Sequence, residues 1–207
     1  HPGMLAYLDN ARSVGPNSAG SRNGRRGLNE NLAREVLELH TVTPGENYTQ
    51  ADVTELAKTL TGWTIGDYRN ASDETGRTIF LERAHEPGVR SVLGVTYPAD
   101  GPGQIKAVLK DICRREGTAQ NVAFKLARHF TSDIPPEDLV RDLKQTFLQT
   151  DGDLTLVYST LIESEHVWRR QPQKLKSPEE LLTSTARLLG TKLVFTGAPK
   201  NVYESLG

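Results

Sequence analysis

Residues Arg26–Trp63, RGLNENLAREVLELHTVTPGENYTQADVTELAKTLTGW, decide the fold. They read as two amphipathic helices joined by a short turn. In the first, Leu28, Leu32, Val36 and Leu39 recur on one side at helical spacing, with Ala33 and Leu37 beside them. Glu30, Arg34 and Glu38 fall on the other side, each one turn from the next. Such a ladder is worth only a few tenths of a kcal/mol per pair. Asn29 is placed to cap the helix through its side-chain oxygen. Glu30 then sits at the positive end of the helix dipole. His40 falls on the apolar side of the last turn, so we read it as a core histidine donating to a backbone carbonyl.

The second helix opens on Thr49 with Asp52 three residues on, a variant of the capping box. Val53, Leu56, Ala57, Leu60 and Trp63 form its apolar stripe, and Asp52, Glu55 and Thr59 its polar face. Gly62 is a weak point near its end. Pro44 and Gly45 lie in the connection, so the spacing predicts an antiparallel helical hairpin over 28–63 whose helices meet through Leu32, Val36, Leu39, Val53, Leu56 and Leu60.

Upstream, His1–Leu8 reads as helix ended by Asp9-Asn10. Ser13–Gly27 is a glycine-rich loop carrying Arg22, Arg25 and Arg26. Such a loop feeding a helix can hold phosphate, sulfate or a carboxylate. Its spacing is not a Walker motif, and the alternative is a surface loop whose arginines pair with Glu30 or meet solvent. Downstream, TIFLER at 78–83 and SVLGVTY at 91–97 are rich in β-branched and aromatic residues, which predicts one β-hairpin insert over 78–97 with His85-Glu86 in its loop.

The remainder, 101–190, is helical. One helix turns Ile105, Val108, Leu109 and Ile112 inward and stops at Gly117. Thr118 caps the next, running to Phe130. A third follows Pro135-Pro136 with the stripe Leu139, Leu143 and Phe147, and a fourth starts from Asp153. A basic connector at 169–177 leads to Ser177-Pro178-Glu179-Glu180, which combines an N-cap, a proline at the first helical position and acids in the first turn. The expected fold class is mainly α: an irregular helical bundle of about seven helices with one small β-hairpin. The expected organisation is a single helical domain over 1–207, cut from a longer protein.

Several function classes fall away. A net charge of −1 leaves no global electrostatic footprint for nucleic acid. The aromatic residues lack the spacing of a base-stacking platform. No run of about 18 apolar residues is present to span a membrane. Cys113 is the one cysteine, so an intramolecular disulfide and a cysteine-rich zinc cage are both excluded. Its helical neighbours point to a buried, inert thiol. No serine sits in a nucleophile-elbow pattern. Asn47-Tyr48-Thr49 and Asn70-Ala71-Ser72 fit the glycosylation sequon, which has meaning only in eukaryotic secretion.

HPGMLAYLDN at 1–10, RRGLNENLAREVLELHT at 25–41, YTQADVTELAKTLTGWT at 48–64, His85 with Val92-Leu93-Gly94, FKLARHF at 124–130 and KSPEELLTSTARLLG at 176–190 together touch most of the chain. In this order they resemble a large bacterial family, domain of unknown function number 1800. Members resemble one another over a longer chain, which implies that this one is an interior piece. The family segment around His85 usually has Asp after His, where Glu86 stands here. The resemblance implies export, with a periplasmic location, and a partner with a sulfatase-like look encoded nearby. It brings no activity.

The candidate chemistry is a constellation of Glu30, Glu35, Glu38, His40, Asp52 and Glu55, with His85 and His129. Glu35, Glu38, His40 and His85 are the candidates for acid–base work. No cofactor is expected. The alternative is a divalent metal held by Glu38, His40, Asp52, Glu55 and His85, since carboxylates with imidazoles bind zinc, manganese or iron and bundles build such sites from facing helices. Glu38 and His40 are two residues apart and point away from each other, so one helix supplies no chelating pair. Two classes remain: a non-catalytic binding or assembly module acting with a partner protein or an envelope polymer, and a metal-dependent or acid–base hydrolase with its site between the two principal helices.

Overall fold

The structure is a computed structural model, and it describes residues 1–21, 27–42, 48–66, 74–168 and 174–191. Among these residues it is mainly α, with eight α-helices and two small antiparallel two-stranded sheets. Helix α1 spans Pro2–Tyr7, and a 3-10 turn follows at Asn10–Arg12. Helix α2 is Asn31–Glu35 and continues as a π-helical turn over Val36–His40. Helix α3 is Gln50–Leu60. Strands β1 (Trp63–Ile65), β2 (Thr78–Phe80), β3 (Arg90–Val92) and β4 (Val95–Tyr97) precede α4 (Pro102–Cys113), α5 (Glu116–Phe130), α6 (Glu137–Gln149) and α7 (Leu154–Glu163). The chain divides into two compact units, His1–Arg169 and Arg170–Gly207, where the sequence led us to expect one. The described part of the second is α8 (Pro178–Leu188), opened by the expected capping box of Ser177 and Glu180.

The predicted meeting of α2 with α3 is antiparallel. Glu30 reaches Thr54 and Gln50, and one turn on Arg34 reaches Gln50, so the partners run backwards along α3. The apolar face of the first helix differs from expectation at its end. Leu37 is fully buried, while Leu39 and His40 are exposed. The physical reason is the π turn. Its wider winding over Val36–His40 carries Leu39 outward, while Leu37 stays inward one turn on from the buried Ala33. His40 is therefore not a core histidine.

Trp63 also leaves its predicted place. Helix α3 ends at Leu60, Gly62 takes φ +87°, and Trp63 starts β1. A Cβ at Gly62 would stand 2.8 Å from the Phe80 ring and 2.9 Å from His85, so the turn needs its bare glycine.

The hairpin expected over 78–97 is confined to 90–97, and β2 belongs to a second two-stranded sheet. Strand β2 pairs back with β1 in the register Trp63↔Phe80. Strands β3 and β4 pair with each other across a two-residue turn, Leu93-Gly94. Both turn residues have positive φ, 51° and 78°, the signature of a primed hairpin turn. Leucine is a poor residue there. Its backbone is held from outside: its N–H donates to Asp52 Oδ1 at 2.7 Å and its carbonyl accepts from Arg115 at 2.7 Å.

The first core cluster joins α1, α2, α3, the β3–β4 hairpin and α4 through residues such as Leu37, Leu56, Val92 and Ile112. The second joins α5, α6 and α7 through Ala123, Leu139, Leu143, Phe147 and Val157. Helix α4 stops at Cys113 rather than at Gly117, which is buried inside α5. Cys113 is exposed, contrary to the buried thiol expected. Asn121 on α5 donates to the Thr41 carbonyl at 2.7 Å, tying the second cluster to the end of the π turn. No described helix is long and apolar enough to cross a membrane.

Candidate functional site

Two polar groupings lie against the first core. One is the seam between α2 and α3. Glu30 Oε1 accepts from the Thr54 hydroxyl at 2.7 Å, and Oε2 accepts from Gln50 at 2.8 Å and from Arg34 at 3.4 Å. The Thr54 bond, helped by Gln50 and Arg34 against the cost of burial, holds the Glu30 carboxyl below the usual range. Arg34 also reaches Glu38 at 3.3 Å. Burial and the neighbouring Glu38 carboxylate push the Tyr48 hydroxyl up. At the head of α3, Asp52 Oδ2 accepts from the Thr49 N–H and hydroxyl, and Oδ1 accepts from Leu93. Burial would raise the Asp52 carboxyl, but those bonds outweigh it and the carboxyl ends lower.

The other grouping is more deeply buried. It gathers around His85-Glu86, which leave a short 3-10 turn at Glu82–Ala84. His85 Nδ1 lies 2.9 Å from the Thr61 carbonyl. A carbonyl only accepts, so Nδ1 is the donor in this bond. The ring packs against Phe80 at a centroid distance of 5.2 Å. The Glu86 backbone N–H donates to the Thr61 hydroxyl at 2.8 Å. The Glu86 carboxylate, only 2% exposed, accepts from the Asn17 backbone N–H at 2.8 Å and the Asn17 side-chain amide at 2.7 Å. Arg90 stands 3.7 Å from Glu86 and 3.2 Å from Glu55, and Lys58 is 2.6 Å from Glu55 on its other side.

The result is one chain of charge, Glu86–Arg90–Glu55–Lys58, linking the loop before β3 to α3. The loop bearing Asn17 closes over it because Gly15 has no side chain. A Cβ there would come within 2.7 Å of Glu86.

The five residues of the alternative metal site do not form one centre. Asp52 and Glu55 are each bound to their own partners, Glu38 faces Arg34, His40 is exposed, and His85 is buried against Thr61. Glu35 is half-buried on α2, and His129 is exposed on α5, edge-on to Phe130. Among the described residues no three of His, Cys, Asp and Glu converge at ligand distance. Arg22, Arg25 and Arg26 lie outside the described residues, as do Asn47 and Asn70. Where the glycine-rich loop rejoins α2, an open cleft of about 850 Å³ is lined by Asp9, Arg12 and residues 27–31. Asp9 and Glu30 stand there beside Arg12, so its described walls are of mixed charge.

Reading the sequence missed Asn17, Thr61, Lys58 and Arg90 as parts of the buried node. Lys58 with Glu55 and Arg90 with Glu86 are local pairs, but Asn17 lies 69 positions from Glu86, Thr61 lies 25 from it and Arg90 lies 35 from Glu55, and no local spacing announces those.

This arrangement gives stability a stated pH dependence. Burial would raise the Glu55 carboxyl, but its bonds to Lys58 and Arg90 outweigh that and hold it low. A depressed folded-state value stabilises the fold at pH above the unfolded carboxyl value of about 4.3, and the contribution is lost as pH falls through the folded value. The urea midpoint is therefore expected to hold from neutrality to about pH 5 and to drop below about 4.3. Glu55→Gln should have a lower midpoint at neutral pH and a shallower drop. An unchanged profile in that variant would remove Glu55 from the account.

The fold and its polar groupings define a mainly α-helical protein in which Glu30, Asp52, Glu55 and Glu86 are bound into cross-links between elements. A family model described as "Protein of unknown function (DUF1800)" matches residues 1–207, and the chain belongs to that family. No curated protein and no solved structure matches the chain.

Proposed function

We propose that this protein is a non-catalytic binding or assembly module of an exported bacterial system, acting with a partner protein or an envelope polymer. One observation carries the reading: Glu30, Asp52 and Glu55 are taken up in internal cross-links while a contiguous apolar ridge stays exposed along α7 and at Trp168. Glu30, Glu55 and Asp52 each hold two elements together. Leu154, Tyr158, Ile162 and Trp168 meet solvent instead. A large exposed apolar patch marks an interaction site more often than a surface accident. Export, and a sulfatase-like partner, rest on the family resemblance.

The test is hydroxyl-radical footprinting of Tyr158 and Trp168. Labelling in the native envelope fraction is compared with labelling of the dilute purified protein. The expected result is protection in the native fraction. Equal labelling would overturn the reading. So would stoichiometric zinc, manganese or iron in the native protein together with a hydrolytic activity that needs it.

A further inference from the structure

Helix α7 has two apolar sides. Val157 and Leu161 are buried in the second core cluster. Leu154, Tyr158 and Ile162, one turn apart, form a ridge along a different side, 42%, 44% and 59% exposed. Trp168 closes the C-terminal end of the ridge. Its ring N–H donates to the Ile162 carbonyl at 2.6 Å, so the ring is fixed although 69% exposed. A fixed ring with one polar edge satisfied makes a good interface anchor.

We propose that this ridge pairs with the same ridge of a second copy of this chain. The inference rests on the assembly reading above and names the partner. Three observations favour a copy. First, the ridge is an i±4 row, and two such rows interdigitate with each other in the commonest packing of helices. Second, residues 154–162, LTLVYSTLI, contain no carboxylate and no cation, so a two-fold axis sets apolar side chains against apolar side chains and leaves Asp153 and Glu163 at the two ends of the ridge. Nothing on the ridge selects a charged partner either. Third, the area suffices. Aromatic side chains bring about 150–250 Å² each, so Tyr158 and Trp168 supply about half of the exposed area, and with Leu154 and Ile162 also fully covered a pair buries at most roughly 1,000 Å², the floor for a biological interface. An interface at that floor is weak and concentration-dependent, and its symmetry is isologous.

Sedimentation velocity of the full chain from about 1 to 500 μM is the test, and a dissociation constant on the order of micromolar is expected. Ile162→Lys and Tyr158→Lys should each raise it by at least about tenfold, as the loss of a central anchor does. Both positions are exposed, so far-UV circular dichroism should confirm that the variants fold. Ile134→Lys, at an exposed apolar residue off the ridge, should dimerise as the parent does. A parent that stays monomeric throughout, or folded ridge variants that dimerise unchanged, would overturn the proposal. If the parent is monomeric while Trp168 is protected in the envelope fraction, self-pairing falls and the assembly reading stands. If neither is seen, both fall.

Discussion

Replacing Arg90 with methionine is expected to lower stability by about 3–5 kcal/mol, the cost of leaving a buried charge without its partner. The Glu86 carboxylate is almost wholly out of water, and its side-chain partners are Asn17 and Arg90. Two neutral donors from Asn17 would remain, and the opposite charge would be gone. Arg90 is itself only 10% exposed and already carries an unsatisfied Nε, and it is held by Glu86, Glu55 and the Pro87 carbonyl. The double variant Arg90→Met with Glu86→Gln removes both charges and keeps an amide to face Asn17. It is expected to recover most of the loss, because replacing both members of a buried pair is often close to neutral. Chemical denaturation of the two single variants and the double variant closes the cycle. An Arg90→Met loss below about 0.5 kcal/mol, the level of an ordinary surface change, would show that the node contributes nothing to the fold.

The node also marks where reading the sequence stops. Thr49 with Asp52, and Ser177 with Glu180, were legible because a capping box is complete within four residues. The α6 stripe of Leu139, Leu143 and Phe147 was legible because the helix keeps one period over its whole length. The node has neither property. Its members come from the loop at 15–17, from α3, from Thr61 and from β3, and only folding brings them together.

The strands show the same limit. Thr78–Phe80 and Val95–Tyr97 were read as strands from their residue types. Their pairing was not legible, because the tight turn between β3 and β4 places a leucine where asparagine is usual. That leucine is tolerated through Asp52 and Arg115, both distant in sequence. Asp52 itself is a metal candidate by chemical type alone, and the hairpin turn uses the oxygen that a metal would need.

The π turn is testable by the same kind of substitution. A Leu37→Ala change is expected to cost about 2–5 kcal/mol, as a truncation in a packed core that cannot collapse fully. Leu37 is 0% exposed and lies in the cluster with Leu32, Val53 and Leu56. A Leu39→Ala change is expected to cost less than about 0.5 kcal/mol, since an exposed leucine loses little on truncation. A regular α-helix through residue 40 would raise the cost of Leu39→Ala to that of a core truncation, because Leu32, Val36 and Leu39 would then share the buried side. The π turn is kept by bonds that a regular helix would not need. The Thr41 hydroxyl donates to the Val36 carbonyl at 2.6 Å, five residues back. Lys125 on α5 reaches the Leu39 carbonyl, and Asn121 reaches that of Thr41. Urea titrations of the two variants, with the slope unchanged, read the difference directly. A loss of core-truncation size for Leu39→Ala would mean that the helix keeps its ordinary period, that His40 turns inward with Leu39, and that the core histidine read from the sequence is restored.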